Sequence, residues 1–261
     1  MARKAKAKTN KAKAPKMSFN ERVRKVIRGE AETKEKVVNV FDQVNINGMG
    51  LTSTTTPVGG ATQPNILDTL AVAQGPEQEE REGNKIQDCR LSVRGVIQSR
   101  PWFGTATSTE PLNASNYPYE VHMIFYKLKK DIENKNTSLK VLPNNLTGEV
   151  DGTLMNSVYP YNKDRYIIRK VKVFRMRPLV ADATATTSVI NNQQSNARPY
   201  HRFHETIDIH KELRYNDGAT IPANDWVGVS FFVINGDGEA LDPKEVRAKI
   251  TMDAVLRYKD L

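Results

Sequence analysis

The chain has a single cysteine, Cys89, in 261 residues. A lone thiol excludes an intrachain disulfide framework and any zinc site built from several cysteines. Long apolar runs are missing too. The longest, VGVSFFVI at 227–234, is broken by Gly228 and Ser230 and falls well short of the roughly 18–20 residues that cross a bilayer as a helix. No membrane insertion is expected. Residues 1–16 contain no apolar side chain larger than alanine after Met1. They lack the apolar centre of a secretory signal and cannot bury surface, so disorder is expected there.

Motifs that carry chemistry are equally scarce. There is no G-x-S-x-G nucleophile elbow, and Gly59-Gly60 is not followed by the Gly-Lys-Ser/Thr of a phosphate loop. Asn235-Gly236-Asp237-Gly238 lacks the spaced acids and final glutamate of a calcium loop and reads as a tight turn. Three of the four histidines, His201, His204 and His210, lie close together in HRFHETIDIH. On a strand, His204 and His210 would be about 20 Å apart at about 3.3 Å per residue, too far to share a metal. Cys89 sits inside a strand pattern, where a thiol acts as a small hydrophobe. Neither an enzyme nor a cofactor or metal site is expected.

Positive charge, by contrast, is concentrated. Arg3, Lys4, Lys6, Lys8, Lys11, Lys13, Lys16, Arg22, Arg24, Lys25 and Arg28 are opposed in residues 1–28 by one acid, Glu21, giving +10. The whole chain is +9, so the remainder sums to −1. A cationic arm on a nearly neutral body is the footprint of a polyanion binder. Nucleic acid is the polyanion expected, because each phosphate neutralised releases condensed counterions. A nuclear address, a solubility tail and an anionic lipid surface are the alternatives. The eleven cations are the candidate nucleic-acid-binding residues.

Ser18 and Glu21 have capping-box spacing. Phe19, Val23, Val26 and Ile27 then share a helical face, and Gly29 offers a stop. The arm, residues 1–36, thus includes a short amphipathic helix, too short to stand alone in water. From Val37 the period becomes two. Val38, Val40, Val44 and Ile46 alternate, as do Leu91, Val93 and Ile97 in 84–98, and Val121, Met123 and Phe125 in 119–128. Segment 165–177 is β-branched and basic. Phe203, Ile207 and Ile209 alternate in 200–209, and 226–234 is apolar on both faces. From Val246 to Tyr258, apolar residues alternate with Arg247, Lys249, Thr251, Asp253 and Arg257, which describes one long strand with one buried face. Segment 66–74 or 213–215 would supply an eighth strand.

The connections 51–65, 103–118, 134–162 and 179–199 exceed the usual loop length. Strands without intervening helices must hide their edges. The expected fold is all-β: one jelly-roll sandwich of about eight antiparallel strands over residues 37–261. The cations of 165–177 admit two roles, phosphate contact or protection of a sheet edge. Trp102 and Trp226 read as core or interface anchors.

Together these elements resemble the capsid proteins of small circular single-stranded DNA viruses that encode a Rep protein, the circovirus-like group. The basic arm carries part of the resemblance. Gln74, Gly75, Arg81, Gly83, Lys85 and Ile86 fill a pattern of Gln-Gly, charged spacer and Arg-x-Gly-x-Lys-Ile leading into a strand. Strand 119–128 and the long terminal strand complete it. The resemblance implies a coat protein that self-assembles into an icosahedral shell of about sixty copies. It packages single-stranded DNA through an inward arm and locates to the virion, with a nuclear stage of assembly. Sixty arms would bring roughly 600 positive charges to the genome. A cellular β-sandwich nucleic-acid binder with a basic tail is the alternative, and a lectin-like jelly roll the third.

Overall fold

In a computed structural model of the chain, the structure describes residues 31–47, 50–52, 65–77, 79–102, 117–129, 163, 166–180, 198–236, 238 and 246–260. The helix expected at 18–28 and most of the four long connections lie outside them.

All seven segments of period-two or doubly apolar pattern form strands. The long ones are β1 (Thr33–Asn47), β3 (Lys85–Ser99), β5 (Tyr119–Leu128), β6 (Tyr166–Met176), β8 (Tyr200–Ile207), β10 (Gly228–Asn235) and β11 (Val246–Asp260). Four short strands join them: β2 (Gly50–Thr52), β4 (Pro101–Trp102), β7 (Leu179–Val180) and β9 (Leu213–Arg214). One sheet has the order β2-β1-β11-β3-β8, with β9 also on β3. The other is β10-β5-β6, and β4 and β7 form a small parallel pair. All pairing within the two main sheets is antiparallel.

The two sheets close on one apolar core, so the fold is an all-β sandwich. Phe41 meets Phe231 edge-on at 5.8 Å, and Phe174 lies 5.6 Å from Phe203. The alternation of β11 is realised along its inner face: Val246, Ala248, Ile250, Met252, Ala254, Leu256 and Tyr258 are all buried. Strand β10 is buried along its whole length, as its doubly apolar sequence requires. Its outward residues Phe232 and Ile234 join Ile124, Tyr126 and Tyr166 in a second cluster on the outer face of the smaller sheet.

Pairing is nested. β5 pairs with its successor β6, β3 pairs with β8, a lone bridge joins Asn65 to Gly228 at the edge of β10, and β1 pairs with β11. Among the described strands, β5–β6 is the innermost pair of this nest and β1–β11 the outermost.

Four details depart from the sequence pattern. β1 begins at Thr33, four residues before the expected body boundary, so Lys34 and Lys36 belong to the sheet. It is also bulged: the register slips between Asn39, Phe41 and Val44, with Gln43 at φ 49. Each extra residue reverses side-chain parity: the first slip turns Phe41 inward opposite Met252, and the second returns Val44 and Ile46 to the inner register, while Val38, Val40 and Val44 are only partly buried. Ile66–Leu70 is not a strand but a one-turn helix, α1. Asn65 caps it by accepting from the Leu67 N–H, and Ala71 ends it in the left-handed region at φ 44. Its apolar residues Ile66, Leu67 and Leu70 follow helical spacing, and all three are buried. Finally, Arg247 stands on the outward register of β11 yet is fully buried. Its guanidinium donates to Asn235 Oδ1 at 2.6 Å and lies 5.7 Å from the Tyr119 ring.

Candidate nucleic-acid interface

Arg3, Lys4, Lys6, Lys8, Lys11, Lys13, Lys16, Arg22, Arg24, Lys25 and Arg28 lie outside the described residues. What the structure shows is where the arm joins the body. Thr33 pairs with Lys259, so β1 starts beside the end of β11. Lys34 and Asp260 form a buried ion pair at 3.3 Å, with side chains 2% and 4% exposed. The Lys34 ammonium also donates to the Glu80 carbonyl at 2.9 Å, and the Glu82 N–H donates to Asp260 Oδ2 at 2.6 Å. Lys36 meets Glu79 at 2.6 Å. Three segments are clasped at the root of the arm: the start of β1, the end of β11 and the loop at 77–82.

The residues of the Gln-Gly…Arg-x-Gly pattern bracket that loop, and those from Gln74 to Gly83 hold it by hydrogen bonds. The Gly75 N–H donates to the Arg81 carbonyl at 3.0 Å, and the Arg81 N–H donates to the Ala73 carbonyl at 2.9 Å. Gln74 Nε2 reaches the Glu82 carbonyl at 3.0 Å. Arg81 is fully buried. It donates to the carbonyls of Ala219 (2.6 Å) and Gly83 and to Asn84 Oδ1 (3.2 Å), and it stacks over Tyr215 at 4.4 Å. A buried guanidinium needs such partners, because desolvating a charge without them costs several kcal/mol. Arg81 thus pins the acidic loop against the segment 215–219.

The basic strand β6 lies at the edge of its sheet, beside the edge strand β8 of the other. Lys170 and Lys172 both reach Glu205 of β8, at 2.6 and 2.9 Å, and Lys170 also donates to the Thr206 carbonyl at 3.2 Å. Arg175 pairs with Glu120 at 3.4 Å, and its carbonyl meets His201 Nε2 at 2.8 Å. Arg169 reaches the Asp208 carbonyl and, at 2.5 Å, Asp225. Lys170 and Lys172 thus bridge the edge strands of the two sheets, Arg169 ties β6 to the segment 208–225, and Arg175 pairs within its own sheet. Partial burial works against ionisation of Glu205, but the two lysine hydrogen bonds outweigh it and hold the carboxyl below its ordinary range. Asp225 behaves alike. Burial opposes its charge, and Lys127, the His210 and Trp226 N–H groups and Arg169 prevail.

Among the described residues, no three histidines, cysteines or carboxylates stand close enough to hold a metal ion. His204 is exposed, whereas His210 contributes its backbone N–H to Asp225. The fourth histidine, His122, is buried, stacked on Phe232 at 4.6 Å and 3.2 Å from Glu120. Burial pushes its pKa down. Cys89 is buried, and its thiol is pushed up to about 12 by desolvation, so it is inert at neutral pH. Trp226 packs on Tyr126 at 5.4 Å, an anchor within the second cluster.

A further cationic surface, the outer face of the larger sheet, emerges only once the strands are paired. Arg257 stands opposite Arg90, Asp253 opposite Arg94, and Lys249 opposite Gln98. On the other side of β3, Arg94 faces His204, Val96 faces Arg202, and Gln98 faces Tyr200. Arg257 is neutralised by Glu35 at 2.5 Å, and Asp253 lies between Arg94 (3.6 Å) and Asn39 (3.1 Å). Arg90, Arg202 and Lys249 make no ion pair with any described acid. Partial burial and then the neighbouring Arg100 lower the pKa of Lys249. The alternation of Arg90 with Arg94 and of Tyr200 with Arg202 was visible in the sequence. Their meeting across strands more than 100 residues apart was not.

Comparison with protein-family models and with curated proteins finds no match for this chain.

Proposed function

We propose that this chain is a structural coat protein. Copies of it assemble into a closed icosahedral shell and enclose nucleic acid, single-stranded DNA on the resemblance noted above, through the basic arm. The observation that carries the reading is the division of charge: +10 in residues 1–28 and −1 in everything after. An arm of that density neutralises phosphate without reading sequence, which packaging requires. The fold supports it. Nested antiparallel pairing in two layers suits the wrapped ribbon of a jelly roll, an architecture of capsid and lectin domains. The clasp of Lys34, Asp260 and the 77–82 loop gives the arm a fixed point of departure. On this reading the protein resides in the virion after assembly in the host nucleus.

Electron microscopy of the purified full chain is the test. Uniform shells containing nuclease-protected nucleic acid support the coat reading. Monomers or dimers that bind oligonucleotides support the cellular binder instead. Deleting residues 1–28 is expected to remove most of the packaged nucleic acid, read from the 260/280 nm absorbance ratio, while the body stays folded. An unchanged ratio would count against the arm as the packaging element.

A further inference from the structure

On the larger sheet's outer face Arg257 and Arg94 meet Glu35 and Asp253, but Arg90, Arg202 and Lys249, unlike the cations of β6, meet no described acid. Arg90 and Arg257 stand directly opposite each other, and Lys249 is crowded by Arg100. Like charges directly opposed across strands destabilise a sheet. The chain bears that cost on a rigid face, with its acids Glu35 and Asp253 already engaged. The same face presents an aromatic ring. Tyr200 is 57% exposed and shares the outward register of β8 with Arg202 and His204. Successive outward residues on a strand are about 6.6 Å apart. β8 and β3 therefore offer a flat row of ring, guanidinium and imidazole, with Arg94 and Arg90 beside it.

We propose that this face, at its β3–β8 side, is a second binding surface for single-stranded nucleic acid. Arg90, Arg94, Arg202 and Lys249 hold the phosphate backbone, and Tyr200 stacks a base. Aromatic platforms flanked by cations are how folded domains hold single strands without reading sequence. The inference rests on the reading that the chain binds nucleic acid, and it supplies what the arm lacks. Residues 1–16, the most cationic part of the arm, contain no aromatic, so they attract the strand and the sheet face seats it.

The test uses the full chain and an oligonucleotide carrying 5-iodouracil, which cross-links to stacked aromatic rings under ultraviolet light. The adducts are mapped by mass spectrometry. The expected adduct is on Tyr200. Tyr200→Leu should lower its yield at the 198–202 segment at least about fivefold, whereas Tyr200→Phe should retain it. Arg202→Gln with Lys249→Gln should flatten the log affinity–log salt slope by about 1.4, at about 0.7 per phosphate. Adducts confined to residues outside β3 and β8, with the slope unchanged, would overturn the proposal. So would cross-links showing that the acidic 77–82 loop of a second copy covers the face. The two readings fail separately. Shells that package nucleic acid without a Tyr200 adduct sink the surface and leave the coat protein. A Tyr200 adduct on a protein that forms no shell does the reverse.

Discussion

β6 and β11 each contain four cations, and the fold uses them in different ways. β6 is an edge strand, and its Arg169, Lys170, Lys172 and Arg175 all find an acid or a carbonyl on β5, on β8 or in the segment 208–225. β11 is flanked by β1 and β3, so its backbone needs no protection. Its cations all fall on the outward register, where Lys249 stands between Asn45 and Gln98 and pairs with no described acid. A lysine in a strand is thus a structural stitch or an available charge according to the strand's place in the sheet, which composition does not reveal.

The sharpest way to break that contrast lies within β11. Ile250→Asp or Leu256→Asp puts an unpartnered carboxylate on the inner face, where both side chains are buried. A loss of several kcal/mol is expected, seen as a missing cooperative transition in circular-dichroism melts. Lys249→Asp, one register away, should shift the melt by no more than about 1 kcal/mol. Equal behaviour of the two would mean that the faces are misassigned.

Next come the ion pairs at the two strands. Asp260→Asn leaves the Lys34 ammonium buried without its counter-charge, and urea titration should register a loss of about 3–5 kcal/mol. Glu205→Gln unstitches a partly exposed pair and should cost about 1 kcal/mol or less. A larger loss at Glu205 than at Asp260 would invert the comparison. The Glu205 contribution also has a pH signature. Its folded pKa lies below the ordinary 4.5, so the stabilisation is fully present above that value and is lost as pH falls through the lower folded value. Glu205→Gln should therefore shallow the acid limb of the stability curve below about pH 4.5.

The smallest effect expected is at His122, beside β6. Its pKa is lowered from 6.5 by burial. Below that pH the unfolded chain takes up a proton that the folded chain resists, and stability declines. His122→Phe, which keeps the stack on Phe232, should narrow the gap between melting temperatures at pH 7.5 and 5.5. A gap as wide as in the wild type would show that this imidazole is not responsible.

Most of the sandwich was legible in the sequence because burial on one face imposes a period of two, and β11 displays it over thirteen residues. What escaped was non-local or depended on a single residue. Two bulges in β1 exchanged its inward parity at Phe41 and then restored it at Val44. A cap at Asn65 turned an apolar run into α1 instead of a strand. Arg81 and Arg247 look like surface residues until Tyr215, Ala219, Asn235 and Tyr119 are brought to them. The arm was legible as charge alone. The sheet-face cations were legible one strand at a time, but their grouping depends on which strands are neighbours.

The nested pairing has a kinetic corollary. Thr33 cannot find Lys259 until the intervening chain exists, and the pairing of β3 with β8 spans more than 100 residues at every rung. Loop-closure entropy must be met before such contacts give any return, so high-contact-order β folds reach the native state in milliseconds to seconds. On the ribosome, β1 emerges first and waits for β11, its partner and the last strand of the sandwich to be made. Through that interval β5 and β6 can already pair, because the segment between them is far shorter than that between β1 and β11. The larger sheet closes late, and with it the clasp at Lys34 and Asp260.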